Sequence, residues 1–147
     1  MRRFNQAWLL NSENPEVYWG FASVLTDQQK YCSALKMVET VETKGALQPS
    51  FLPDAALIYT GCAIEDKILE PTVRKKYLSH SDELFSQALA SPAVRKKYTL
   101  FHWVQAMYGR ENYVEAWKKV AQFRKETGKE FDAHFIRNLS QKMVEPK

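Results

Sequence analysis

Three histidines, His80, His102 and His134, are the side chains best suited to acid–base or metal chemistry, and they stand far apart in the 147-residue chain. No two are spaced i and i+4, which would set a pair of metal ligands on one helix face. The run Ser79-His80-Ser81-Asp82 holds the residue types of a hydrolase triad, but neighbours on one helical turn point in different directions. It reads as a polar helix surface. Cys32 or Cys62 could act as a nucleophile only beside a histidine base in an electropositive site, and neither is legible. Two buried free thiols on separate helices are expected, with a structural disulfide as the alternative. Glu65-Asp66 and Asp82-Glu83 are adjacent pairs, not carboxylates that face each other as a general acid and base must. The 5 glycines are too scattered for a phosphate-cradling loop. No catalytic residue, metal site or cofactor is expected, and the chain is read as a non-enzyme.

One charged pattern is less ordinary. Pro71-Thr72-Val73-Arg74-Lys75-Lys76-Tyr77 and Pro92-Ala93-Val94-Arg95-Lys96-Lys97-Tyr98 differ only at their second residue. Both are expected to place three cations in the first turn of a helix, where the helix dipole disfavours each by a few tenths of a kcal/mol. Arg74, Lys75, Lys76, Arg95, Lys96 and Lys97 could thus form a basic patch for an acidic peptide, a phosphate or a nucleic acid. The simpler reading is a pair of solvated helix starts whose long stems cover apolar surface. Without interleaved exposed aromatics, the simpler reading is preferred.

The elements that must position these residues are helices. The chain is 45% hydrophobic and 13% aromatic, as a folded domain should be, and has only 5 Gly and 6 Pro for turns. No stretch approaches the roughly 18 uninterrupted apolar residues of a membrane span. Met1-Arg2-Arg3 is followed by no apolar core of a signal peptide. Asn14-Pro15-Glu16 offers an N-cap, a proline at the first helical position and an acid in the first turn. Tyr18, Phe21, Ala22 and Leu25 then mark one helix face, and Tyr31, Ala34, Leu35, Val38 and Val41 mark a second after a polar turn. Similar stripes predict helices from Pro53 to about Asp66 and from Pro71 to Ala90. A further pair follows Ser91-Pro92, carrying Leu100, Trp103, Val104 and Met107, then Tyr113, Ala116, Val120 and Phe123. A closing helix at about 131–143 shows Phe135, Ile136, Leu139 and Met143 on one side only.

Tyr18, Phe21, Ala22, Leu25, Tyr31 and Ala34 fall in order on the pattern of the tetratricopeptide unit, which this chain resembles over roughly residues 3–127. Ala7 and Val41 occupy equivalent positions one 34-residue period apart. Phe85 with Ala88, and Tyr108-Gly109 with Tyr113 and Ala116, repeat parts of the motif. Gln29 stands where a glycine is usual, and the middle turn is stretched to Lys67-Ile68-Leu69-Glu70. The resemblance implies an all-α fold: antiparallel helix pairs stacked as a short superhelical solenoid with a C-terminal capping helix. It divides a single domain over 1–147 into a partial unit at 3–12, units at about 15–48, 53–90 and 92–127, and the closing helix. Phe4, Ala7 and Trp8 open the chain inside a unit, so it is read as the carboxy-terminal part of a longer protein.

Members of that family bind peptides or folded partners in the groove lined by the first helix of each unit. Carried onto this chain, the groove positions are Trp19, Ser23 and Thr26, then Ile58 and Cys62, then Tyr98, Phe101, Gln105 and Tyr108. The lysines and asparagines that clamp a terminal carboxylate in chaperone-binding members are missing, since Trp19 and Ser23 stand in their places. An aromatic, largely neutral groove suits an apolar or extended segment. The expected function is therefore a scaffold for a protein or peptide partner. The alternative is a nucleic-acid or other acidic partner held by the basic helix starts at 74–76 and 95–97, with nucleic acid the less favoured. A formal charge of +4 permits an acidic partner without demanding one. Location is taken as cytoplasmic by default, or the bacterial envelope if the chain belongs to a longer exported protein.

Overall fold

The computed structural model describes residues 14–45 and 47–147. Phe4, Ala7 and Trp8, the partial unit at 3–12 and hence the spacing from Ala7 to Val41 lie outside the described residues. Among those described there are seven α-helices and no strand. They are α1 (Pro15–Asp27), α2 (Tyr31–Thr43), α3 (Leu52–Glu65), α4 (Pro71–Ala90), α5 (Lys96–Gly109), α6 (Tyr113–Thr127) and α7 (Ala133–Lys142), with a 3-10 turn at Pro49–Phe51 before α3.

Local chemistry explains most of the boundaries. The Asn14 side chain accepts the Glu16 N–H at 3.0 Å, and Pro15 supplies the fixed φ of a first helical residue. Asp132 caps α7 in the same way, accepting from the Phe135 N–H at 2.9 Å. Gly128 ends α6 with φ 67, a left-handed conformation that costs glycine nothing. The third pair departs from expectation: Ser91-Pro92 opens a turn, and α5 starts only at Lys96. Val94 is buried beneath that turn, so the connection is anchored by its apolar residue before the helix begins.

Consecutive helices pack as pairs, α1 with α2, α3 with α4 and α5 with α6, while α3 also packs against α2 and α5. Ala22, Ala34, Ala55, Ala56, Ala88 and Ala116 are fully buried, which lets the helix backbones approach closely. Leu35, Val38, Phe85, Leu100, Val104 and Val120 fill the remaining space. Each large side chain so buried stabilises the fold by about 1.5–3 kcal/mol. The α7 end is closed by Phe131, stacked on Phe101 at 5.3 Å, and by Phe135, edge-on to Tyr108 at 5.1 Å.

The first and third pairs are structural copies. In the first turn Gln28, Gln29 and Lys30 donate backbone N–H groups to Val24, Thr26 and Leu25; in the third, Arg110, Glu111 and Asn112 donate to Ala106, Tyr108 and Met107. Every residue number differs by 82 between the two sets (26 and 108, 25 and 107). Gln29 and Glu111 both take positive φ, 59 and 60, in place of the usual glycine. The correspondence runs on through the buried positions Ala34 and Ala116, Val38 and Val120, and Val41 and Phe123. The middle pair has a longer second helix and a five-residue link.

The cysteines are not free thiols: Cys32 and Cys62 form a disulfide, with Cα atoms 4.5 Å apart. The cause is close packing between successive pairs. Gly61 has no side chain, so the Tyr31 ring lies directly on the α3 backbone at that point. That brings the next residue, Cys32, over Cys62. Helical periodicity describes one helix at a time and carries no signal for a contact between pairs.

Candidate binding groove

Two clefts lie end to end along α3. The first, about 250 Å³, is lined by Trp19, Ser23, Thr26 and Asp27 of α1, by Asp54, Leu57 and Ile58 of α3, and by Tyr98 of α5. The second, about 350 Å³, takes in Gln29, Tyr31, Gly61, Ile64, Glu65 and Gln105. Leu57 lines both, so they form one groove with α3 as its floor.

Of the expected groove residues, Trp19, Ser23 and Tyr98 meet in the first cleft and Gln105 lies in the second. Phe101 and Tyr108 line neither; both pack against the core beside Phe131 and Phe135. Phe131, ahead of the closing helix, stacks on Phe101, and Phe135 of that helix meets Tyr108 edge-on, contacts that the amphipathic pattern of the helix did not specify. Cys62 is buried and spent in the disulfide.

Trp19 is held by Phe51, whose ring stacks on it at 4.2 Å, leaving at most one indole face for a ligand. Asp54 accepts the Tyr98 hydroxyl at 2.7 Å, and burial together with this bond raises the Tyr98 pKa. His102 lies edge-on to Tyr98 with its Nε2 3.7 Å from Asp54, while its Nδ1 shares a hydrogen bond with Gln105 at 2.9 Å. At the other end Glu65 accepts the Cys32 N–H at 2.7 Å, serving as a remote cap for α2, whose own N-cap Lys30 makes no side-chain cap bond. Three carboxylates therefore line the groove, Asp27, Asp54 and Glu65, and no lysine or arginine lines it. The groove is acidic, not neutral as its aromatic positions had suggested. The signal was available in Asp27 and Asp54, but only packing showed that they face the same cleft.

The six cations of the two repeated segments are not equivalent. Arg74 turns back to the end of α3, donating to the carbonyls of Ala63 at 3.0 Å and Asp66 at 2.8 Å. Lys96 pairs with Glu126 at 3.5 Å. Lys75, Lys76, Arg95 and Lys97 are exposed, and Arg95 precedes its helix instead of lying in the first turn.

The Ser79–Asp82 run is no simple polar surface. Ser81 is fully buried and bonds Thr60 at 2.8 Å and the Ala56 carbonyl at 2.6 Å. Arg110 joins this group, donating to Thr60 Oγ1 at 2.8 Å and to Asp82 at 3.0 Å, while Trp103 Nε1 also donates to Asp82. His80 sits between Glu42, 2.7 Å away, and Glu83, at 3.2 Å. Burial disfavours its charged form, but the bonds to Glu42 and then Glu83 outweigh that and raise its pKa above the ordinary value. These residues tie α3, α4 and α5 together, and of them Thr60 also lines the second cleft.

Among the described residues no helix is long and apolar enough to cross a membrane, and no cluster of three or more His, Cys, Asp or Glu is arranged to hold a metal ion. No protein-family model, curated protein or solved structure matches the chain.

Proposed function

We propose that this chain is a short tetratricopeptide-like scaffold that binds an extended segment of a protein partner in the groove along α3. The observation that carries the reading is the pair of copied hairpins, α1/α2 and α5/α6, set on either side of α3 so that their first helices form the walls of one groove. Repeated pairs stacked this way leave a long concave surface, and binding surfaces of repeat proteins are built from it. Trp19 and Tyr98 supply aromatic contact area on rigid helices, the kind of anchor that dominates binding energies. Gln105 and Gln29 offer amide groups to a peptide backbone. In this reading the scaffold is non-catalytic.

The test uses the whole chain to capture partners and then compares two sets of variants. Trp19→Ala with Tyr98→Ala should weaken a captured partner by about 2 kcal/mol or more. Lys75→Ala, Lys76→Ala, Arg95→Ala and Lys97→Ala together should cost little at moderate salt. The opposite ranking, with binding vanishing as salt rises, would assign the partner to the exposed cations instead.

A further inference from the structure

The groove's charge runs against that of the chain. The protein has 21 lysines and arginines against 17 acids, yet its groove is lined by carboxylates without a single lysine or arginine. A concave surface with apolar walls and one sign of charge concentrates its field on whatever enters.

We propose that the cleft bounded by Trp19, Asp27, Asp54 and Tyr98 receives an arginine or lysine side chain from an extended partner segment, with an apolar neighbour of that residue lying on Leu57. The inference rests on the groove reading above and names the chemistry of its occupant. Three observations carry it. Asp54 is half-buried and already oriented by the Tyr98 hydroxyl at 2.7 Å, so it presents a fixed acceptor. Trp19, braced by Phe51, offers an aromatic face suited to a guanidinium or ammonium group. Asp27, exposed at the rim of the same cleft, adds a second negative charge.

Other occupants fit less well. An acidic or phosphorylated segment would meet Asp27, Asp54 and Glu65 with no lysine or arginine in the lining to offset them. A wholly apolar segment covering Asp54 would strip water from a carboxylate while giving it no new partner, which costs more than the apolar contact returns. A cation resolves both problems at once. Arginine suits the site best, because its planar group can stack on an indole and bond a carboxylate with two N–H groups.

The experiment is a selection of phage-displayed random dodecapeptides on the whole immobilised chain, followed by fluorescence anisotropy with the enriched peptides. Enriched sequences should carry an arginine or lysine beside an apolar residue. Replacing that residue by citrulline or norleucine, or the protein's Asp54 by Asn, should weaken binding about tenfold or more. Asp54→Asn keeps an acceptor for Tyr98, and an unchanged melting midpoint shows that the fold is intact. Asp27→Asn, at an exposed position, gives the same readout without touching the packed floor. Enrichment of neutral or acidic peptides that Trp19→Ala still releases would overturn the cation and leave the groove reading standing. Peptides indifferent to every groove substitution, or no enrichment over bare matrix, would overturn both.

Discussion

Residues 71–77 and 92–98 share six of seven residue types and fold differently, while 27–31 and 109–113 share one of five and fold alike. In the first comparison Pro71 begins a helix directly and Arg74 reaches back to the end of α3. The second segment spends its proline in a turn, buries Val94, and leaves Arg95 in solvent. What precedes each copy differs: Glu70 closes a loop leaving α3, and Ser91 ends a long helix. In the second comparison Asp27-Gln28-Gln29-Lys30-Tyr31 and Gly109-Arg110-Glu111-Asn112-Tyr113 make matching backbone bonds. There the flanking helices dictate the turn, and side-chain identity is nearly free. Sequence repetition and structural repetition are thus separate properties here, and the packing of neighbours decides which one prevails.

The copied hairpins are nevertheless tied down differently, which gives the largest expected effect. Position 32 is a half-cystine in the first and its counterpart Val114 is exposed in the third. Removing the disulfide, which spans a sequence separation of 30, should destabilise the first hairpin. For a loop of that length the loss is roughly 3–4 kcal/mol. A reduced protein, or Cys32→Ser with Cys62→Ser, that melts where the oxidised protein melts would mean that packing alone holds α2 on α3.

Arg74 and Arg95 test the repeated segments directly. Arg74→Ala should lose about 1–3 kcal/mol, because two carbonyls at the end of α3 lose a charged donor. Arg95→Ala should lie within about 0.5 kcal/mol of wild type, as an exposed side chain does. Equal effects in chemical denaturation would show that the two copies are structurally equivalent after all.

The matched turns make a finer prediction. Gln29→Gly and Glu111→Gly each relieve a left-handed residue, and each should stabilise by about 0.5–1 kcal/mol. The gains should be similar to one another; a gain at one site and a loss at the other would break the equivalence.

A last, small effect separates the ends of the copies. Glu42 of α2 holds His80, whereas its counterpart Arg124 in α6 pairs with Glu130 at 2.7 Å and Glu145 at 2.9 Å. The His80 pKa is raised in the folded state, so the stabilisation is complete below the unfolded value near 6.5 and is lost as pH rises through the folded value. The melting midpoint should therefore fall slightly through that window, and His80→Gln should flatten the fall. A profile that His80→Gln leaves unchanged would place the titration elsewhere.

The sequence by itself determined the helices and most of their ends. Asn14-Pro15, Pro71, Gly128 and the apolar stripes act within a few residues, through capping, fixed φ and burial of one face, so they can be read along a line. The tetratricopeptide resemblance singled out Trp19, Ser23 and Tyr98 together, and the three line the same cleft. The tertiary structure alone decided what lies between units: the Cys32–Cys62 bond, the packing of Phe101 on Phe131 and of Tyr108 on Phe135, the Arg110–Asp82–Thr60 group, and the gathering of Asp27, Asp54 and Glu65 along one groove. Each of these joins residues brought together by the approach of two backbones, which small residues such as Ala34, Ala56 and Gly61 permit. Periodicity records which face of a helix is apolar. It does not record which other helix that face will meet.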